Sequence, residues 1–78
     1  DIKESLECDL ALEQQSHTDL IAAVAHCETV KDYVSRELFV DIMENEEEHI
    51  DWLETHLELI ERVGIQNFQQ SFMGSSDS

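Results

Sequence analysis

The sequence predicts an all-α fold, a long antiparallel helical hairpin followed by a short C-terminal helix, and three observations support it. The chain of 78 residues has no proline, and its two glycines, Gly64 and Gly74, fall in the last fifteen positions. Glu, Leu, Ala and Gln, which favour helix, are abundant before Gly64. Apolar residues recur there at steps of three and four, the spacing of one face of a helix. A chain of this length forms at most one domain.

The first predicted helix spans about Ile2 to Glu28. Its stripe, called here the α1 stripe, alternates steps of four and three residues and comprises Leu6, Leu10, Glu13, His17, Leu20, Val24 and Cys27. Asp1 and Glu4 suit a helix N terminus because acidic groups there face the positive end of the helix dipole. The pattern breaks at residues 28–30, which ends the helix.

The second predicted helix spans about Lys31 to Val63, and Gly64 stops it. Its stripe, the α2 stripe, comprises Phe39, Ile42, Glu46, His49, Leu53, Leu57 and Ile60. The short link makes the two helices antiparallel. Spaced apolar residues in Ile65–Met73 predict a short third helix, and Gly74–Ser78 is expected to be a disordered tail.

A lone hairpin of this size is a poor folding unit. Packing the two helices together leaves much of each apolar stripe in contact with water, and short chains seldom bury enough core alone. Two hairpins packed together make a four-helix bundle. We therefore expect a partner, which is either a separate pair of helices or a second copy of this chain.

The composition excludes several classes of partner. The formal charge is −15, which argues against nucleic acid and anionic membranes but suits the attraction of cations. Cys8 and Cys27 would lie roughly 28 Å apart along one helix, too far to form a disulfide. Free thiols, with no signal peptide or membrane-length apolar segment in the sequence, predict a cytoplasmic location. Because the chain begins at Asp1 without an initiator Met, we expect a fragment, a processed chain or a split subunit.

Polar residues interrupt the two stripes, and three of them form a candidate site: Glu13 in the first stripe, and Glu46 and His49 in the second. A buried carboxylate is costly unless something such as a bound cation compensates it. Glu46 and His49 form Glu-x-x-His, whose two side chains point to the same face of a helix. In di-iron carboxylate bundles, two helices each give a Glu and two others each give Glu-x-x-His. The sequence therefore predicts half of a di-iron site, with Glu13, Glu46 and His49 as metal ligands and catalytic residues.

The alternative interpretation is a solvated acidic helix face with a bystander histidine. It accounts well for Glu44, Glu47, Asp51, Glu54 and Glu58 of the second helix, but poorly for Glu46 and Glu13, which lie on the apolar stripes. The sequence contains no EF-hand spacing, no zinc-binding His-Glu-x-x-His and no glycine-rich phosphate loop. His17, one turn after Glu13, is expected to lie in the core or beside the metal ligands rather than to be a ligand itself.

Several stretches of the sequence resemble bacterioferritins, which belong to the ferritin-like family. They are Asp9–Glu13 (DLALE), Asp32–Arg36 (DYVSR), Glu46–Thr55 (EEEHIDWLET) and Gly64–Phe68 (GIQNF). The resemblance implies that residues 1–73 are the C-terminal half of a ferritin-like di-iron domain. It also implies oxidation of Fe(II) by oxygen or peroxide and storage of ferric mineral inside a 24-subunit shell. Glu13, Glu46 and His49 match the family's iron ligands one for one.

The resemblance carries further expectations. Haem in this family is bound by a Met on the second helix, which this sequence lacks, so we expect no haem ligand in this chain. Met43 and Met73 are interpreted as packing residues. By resemblance alone, Asn67 and Gln70 line a four-fold pore, Arg36 and Glu37 a three-fold pore, and Asp51 and Glu58 a route for iron.

The predicted function is iron storage with Fe(II) oxidation at a di-iron ferroxidase site that partner helices complete. Two rivals remain: a non-catalytic helical hairpin that only assembles with a partner, and a homodimeric two-helix ferritin-like protein. Two copies of this chain would also supply four carboxylates and two histidines, a complete ligand set. We favour a separate helix pair, because the matched stretches are specific to one half of the family's domain.

Overall fold

The computed structural model describes residues 1–64, 67, 68 and 70, and it consists of a two-helix hairpin. Helix α1 spans Ile2–Thr29 and helix α2 spans Tyr33–Val63. Leu6, near the start of α1, packs in one cluster with Leu53 and Ile60 from the second half of α2, so the two helices are antiparallel. The predicted all-α hairpin is confirmed, and α1 ends one residue and α2 begins two residues later than the sequence predicts.

Each helix begins at an aspartate that caps it. The Asp1 carboxylate accepts a hydrogen bond from the Glu4 N–H at 2.9 Å, and the Asp32 carboxylate accepts one from the Ser35 N–H at 3.1 Å. These bonds satisfy backbone donors that the first turn of a helix leaves unpaired. Hydrogen bonds from the side chain and then the backbone of Ser35 hold the pKa of Asp32 below its usual value. Lys31, in the link between the helices, has a positive φ of 62°.

Helix α2 ends at Gly64, as predicted. Gly64 has a φ of 82°, and its N–H donates to the Ile60 carbonyl at 2.8 Å. Asn67, Phe68 and Gln70 are helical, and the Phe68 N–H donates to the Gly64 carbonyl at 3.0 Å. These residues agree with the short third helix predicted within 65–73. The other residues of that prediction and the expected tail 74–78 lie outside the described part of the chain.

The hydrophobic core lies at the open end of the hairpin, away from the link. Leu6, Leu53, Ile60 and Phe68 form the buried cluster, and three partly buried residues pack against it: Ile2, Leu10 and Leu57. Every residue of the α1 stripe is buried or half-buried, so less of this stripe faces water than the sequence predicts. The α2 stripe is only partly covered, because Ile42 and His49 are exposed. The hairpin therefore covers the α1 stripe at least partly along its whole length and leaves part of the α2 stripe in water.

A second apolar stripe on α2 faces solvent. Six exposed residues define this outer α2 stripe: Val34, Leu38, Ile42, Trp52, Leu59 and Val63. Together with residues 45, 49 and 56, these positions are spaced three or four residues apart, which places them on one face of α2. A row of exposed apolar residues along one helix face, here interrupted by Asn45, His49 and His56, is typical of a surface that another element covers. Among the described residues, no helix is long and apolar enough to cross a membrane.

Candidate metal site

The antiparallel pairing of the helices brings Glu13 and His49 into contact. Both lie near the middle of their helices, and Glu13 Oε1 and His49 Nδ1 are 3.1 Å apart. The imidazole N–H donates and the carboxylate accepts. The Glu13 side chain is 28% exposed and that of His49 is 49% exposed, so the pair lies at the edge of the interface between the helices. Two of the three predicted ligands therefore meet across the hairpin.

Glu46, the third predicted ligand, contains an unpaired buried oxygen. Its Oε1 atom is buried and has no hydrogen-bond partner among the described residues. Leaving a polar atom buried and unpaired costs free energy, and such atoms are rare in folded proteins. A cation bound to this oxygen would remove the cost. The solvated-face interpretation does not account for this atom, because a solvated carboxylate has both oxygens in water.

The three ligands do not form a complete site within the hairpin. In the part of the chain that the structure describes, no three His, Cys, Asp or Glu side chains come together closely enough to hold a metal ion. Half of a di-iron site is expected to lack such a cluster, because each ion of a di-iron bundle takes further ligands from other helices. The chemistry of the donors fits iron, since two carboxylates and one imidazole suit this metal. The assignment of Glu13, Glu46 and His49 as ligands stays a prediction.

A second histidine and carboxylate pair lies beside the first. His17 Nε2 and Glu47 Oε2 are 3.2 Å apart. In this pair α1 contributes the histidine and α2 the carboxylate, whereas in the pair of Glu13 and His49 α1 contributes the carboxylate and α2 the histidine. The His17 side chain is 24% exposed and that of Glu47 is 59% exposed. They share an open cavity of about 480 Å³ whose other lining residues are Gln14, Thr18, Ile50, Asp51 and Glu54. His17 therefore lies beside the predicted ligands, and its pairing with Glu47 could not be predicted from the sequence.

Aromatic rings extend along α2 from His49 towards the core. The rings of His49 and Trp52 are 6.3 Å apart between centroids, and His56 stacks on Trp52 at 3.9 Å. The His56 Nδ1–H donates to the Trp52 carbonyl at 2.8 Å, and the ring meets the edge of Phe68. His49 and Trp52 also line an open cavity of about 430 Å³ with Asn45 and Glu48. The exposed side of the candidate site is therefore partly aromatic.

The residues assigned by resemblance alone have ordinary surface contacts. Arg36 lies 3.5 Å from a carboxylate oxygen of Glu28 and 3.8 Å from one of Glu37. The Asn67 side chain donates to the Val63 carbonyl at 2.8 Å. The pore and iron-route assignments of Asn67, Gln70, Arg36, Glu37, Asp51 and Glu58 stay predictions. Cys8 and Cys27 are free thiols, as expected.

Most of the chain matches a known protein family. The model of the ferritin-like domain matches residues 1–63, so the chain belongs to the ferritin family. The bacterial ferritin of Synechocystis sp. is 44% identical over 73 residues, which are 92% of this chain and 47% of that protein. The bacterial ferritin of Pseudomonas aeruginosa is 42% identical over 71 residues, covering 90% of this chain and 46% of that protein.

A third relative shows the same pattern. The bacterioferritin of Brucella melitensis is 38% identical over 69 residues, which are 88% of this chain and 43% of that protein. The resemblance to bacterioferritins is confirmed. The chain spans about half the length of the curated relatives that it matches.

Proposed function

We propose that this chain supplies half of a di-iron site for Fe(II) oxidation and iron storage, and that a second pair of helices completes the site. The observation that carries the proposal is the buried, unpaired Oε1 of Glu46 on the same face of α2 as His49. His49 in turn contacts Glu13 across the hairpin. Membership of the ferritin family supports an iron-storage function.

The three residues have separate tasks in this proposal. Iron, when bound, supplies the electrons that reduce oxygen or peroxide. Glu13 and Glu46 bring negative charge to the site and hold the ions close together. His49 would bind through a ring nitrogen, and binding through Nδ1 would require this nitrogen to give up its proton and its hydrogen bond to Glu13. The contact between Glu13 and His49 thus keeps two ligands together until metal replaces it.

The outer α2 stripe supports completion by other helices. Its exposed residues extend from Val34 to Val63, nearly the full length of α2, and His49 lies on the same repeat. A helix covering this stripe would come close to His49 and could bring the additional carboxylate ligands. We favour a separate helix pair over a second copy of this chain as the source. The shell assembly and the cytoplasmic location remain predictions.

Mass spectrometry distinguishes the two sources. If a separate pair completes the site, the denatured native assembly contains a second polypeptide, or a longer form of this chain, that carries another Glu-x-x-His. A single mass matching this chain, found in an assembly that binds iron, would instead establish a homodimeric site. A single mass without iron binding would favour the non-catalytic hairpin.

Substitutions in the acidic segment test the site itself. In the native assembly, Glu46→Ala should abolish iron occupancy, whereas Glu47→Ala and Glu48→Ala should leave it nearly intact. Only Glu46 lies three residues before His49 and on the α2 stripe. Iron per chain is measured by elemental analysis, and ferric product is followed by absorbance after aerobic addition of Fe(II). Equal losses in the three variants would show that diffuse negative charge holds the metal.

A further inference from the structure

Three consecutive carboxylates, Glu46, Glu47 and Glu48, precede His49, and the proposed site uses only the first of them. A glutamate side chain is flexible, and successive residues on a helix differ by about 100° in direction. A free neighbouring carboxylate can therefore turn towards a cation and compete with the proper ligand. The structure shows different surroundings for the carboxylates of Glu46 and Glu47. Glu46 Oε1 is buried and unpaired, whereas Glu47 Oε2 is 3.2 Å from His17 Nε2.

We propose that His17 is a positioning residue that selects Glu46 as the metal ligand by holding the Glu47 carboxylate against α1. This inference rests on the proposed function. His17 occupies the α1 stripe one turn after Glu13, and its ring is partly buried, with 24% of the side chain exposed. Glu47, in contrast, is largely exposed and would sample many rotamers without a partner. The hydrogen bond to His17 therefore restricts the rotamers of Glu47, the residue next to the proposed ligand Glu46.

Histidine suits this task better than the other donors that reach across a hairpin. A lysine or arginine would also hold Glu47, but its permanent positive charge would repel cations at the neighbouring site. A neutral imidazole donates the same hydrogen bond through Nε2–H without that charge. In this proposal the pair of His17 and Glu47 would persist in the metal-bound protein.

A double-mutant cycle tests the role of His17. The probe is Co(II), titrated into the native assembly, with affinity measured by calorimetry and coordination followed by the visible Co(II) spectrum. His17→Phe keeps a ring in the interface and removes the donor, whereas His17→Gln keeps a donor. We expect His17→Phe to change the visible Co(II) spectrum without weakening Co(II) binding, because the freed Glu47 carboxylate would replace Glu46 on part of the bound ions and so add a second way to bind them. His17→Gln should stay close to wild type.

The second half of the cycle removes the competing carboxylate. Glu47→Ala alone should give the wild-type Co(II) spectrum, and the double variant His17→Phe/Glu47→Ala should recover that spectrum. A double variant with the same altered spectrum as His17→Phe would overturn the proposal, because His17 would then act through packing. An unchanged spectrum in His17→Phe would overturn it as well, with the di-iron site itself left standing. Absence of Glu46-dependent Co(II) binding in the wild type would overturn both proposals.

Discussion

The two ends of the hairpin are stabilised in different ways. At the open end, Leu6, Leu53, Ile60 and Phe68 bury one another, and Leu53 is only 1% exposed. At the turn end, Val30, Tyr33, Val34 and Leu38 are all exposed, and Val34 is 85% exposed. Cys27 is buried near the link, and local hydrogen bonds such as that between Asp32 and Ser35 also order this end. Burial within this chain is therefore extensive at the open end, whereas the turn end leaves a row of apolar residues for a partner to cover.

The candidate metal site lies between these two regions. Glu13, Glu46 and His49 are all near the middle of their helices, where the α2 stripe changes from exposed at Ile42 to buried at Leu53. The open end therefore fixes the register of the helices, and the register places Glu13 opposite His49. The turn end leaves the other side of the site open for further ligands. The following predictions, all made for the native assembly, test this division.

The largest effect is expected at the open end. Leu53→Ala should lower the free energy of unfolding by about 2–5 kcal/mol, because it removes a fully buried side chain and leaves a cavity. The matched control is Leu12→Ala, on α1, whose side chain is 66% exposed and which should change stability by less than about 0.5 kcal/mol. Denaturant unfolding followed by circular dichroism measures both. Equal losses in the two variants would contradict the assignment of the core.

A second effect sharpens the description of the turn end. Leu38→Glu should leave the helical content of the hairpin unchanged but weaken its association with the partner helices by about 1.5–3 kcal/mol, the value of one buried leucine. Leu38 lies on the outer α2 stripe and is 59% exposed within this chain. Analytical ultracentrifugation over a concentration series measures the association. An unchanged association constant would show that this part of the stripe stays in water.

Among the described residues, Gly64 and Lys31 have positive φ, and substitutions at the two should have opposite effects. Gly64, at the open end, has φ 82° and ψ 154°, a region that is essentially restricted to glycine, so Gly64→Ala should cost about 1–3 kcal/mol. An added Cβ would meet no atom within 4 Å, so this cost comes from the backbone alone. Lys31, in the link, has φ 62°, and Lys31→Gly should stabilise by up to about 1 kcal/mol. Thermal unfolding measures the stability of each variant. Destabilisation by Lys31→Gly would contradict the positive φ assigned to Lys31 in the link.

The smallest effect concerns the cap at the start of α2. The pKa of Asp32 is lowered in the folded chain because Ser35 hydrogen-bonds to its charged form. The stabilisation is therefore present above the pKa of the unfolded chain and is lost as the pH falls through the lowered folded value. Asp32→Asn should remove this dependence on pH while keeping a capping oxygen. NMR titration of the Asp32 carboxyl group checks the direction, and a raised pKa would contradict it.

Much of the fold could be predicted from the sequence because its signals are local. Gly64, the break at residues 28–30 and the spacing of the α1 stripe each depend on neighbouring residues, and the helix bounds agree to within two residues. The exposure of Ile42 and His49 could not be predicted, since it depends on which elements cover α2. The pairing of His17 with Glu47 depends on the register of the hairpin, which packing of the open end determines.

Diffraction at the iron absorption edge tests the central claim most directly. Crystals of the native assembly, soaked anaerobically in Fe(II), should show anomalous density within bonding distance of Glu46 Oε1, with Glu13 and His49 also bound and no longer in contact with each other. Crystals of the Glu46→Ala variant should lack this density under the same conditions. Iron bound only at Glu47 or Asp51, or no iron near Glu46 in the wild type, would contradict the claim that this chain supplies half of a di-iron site.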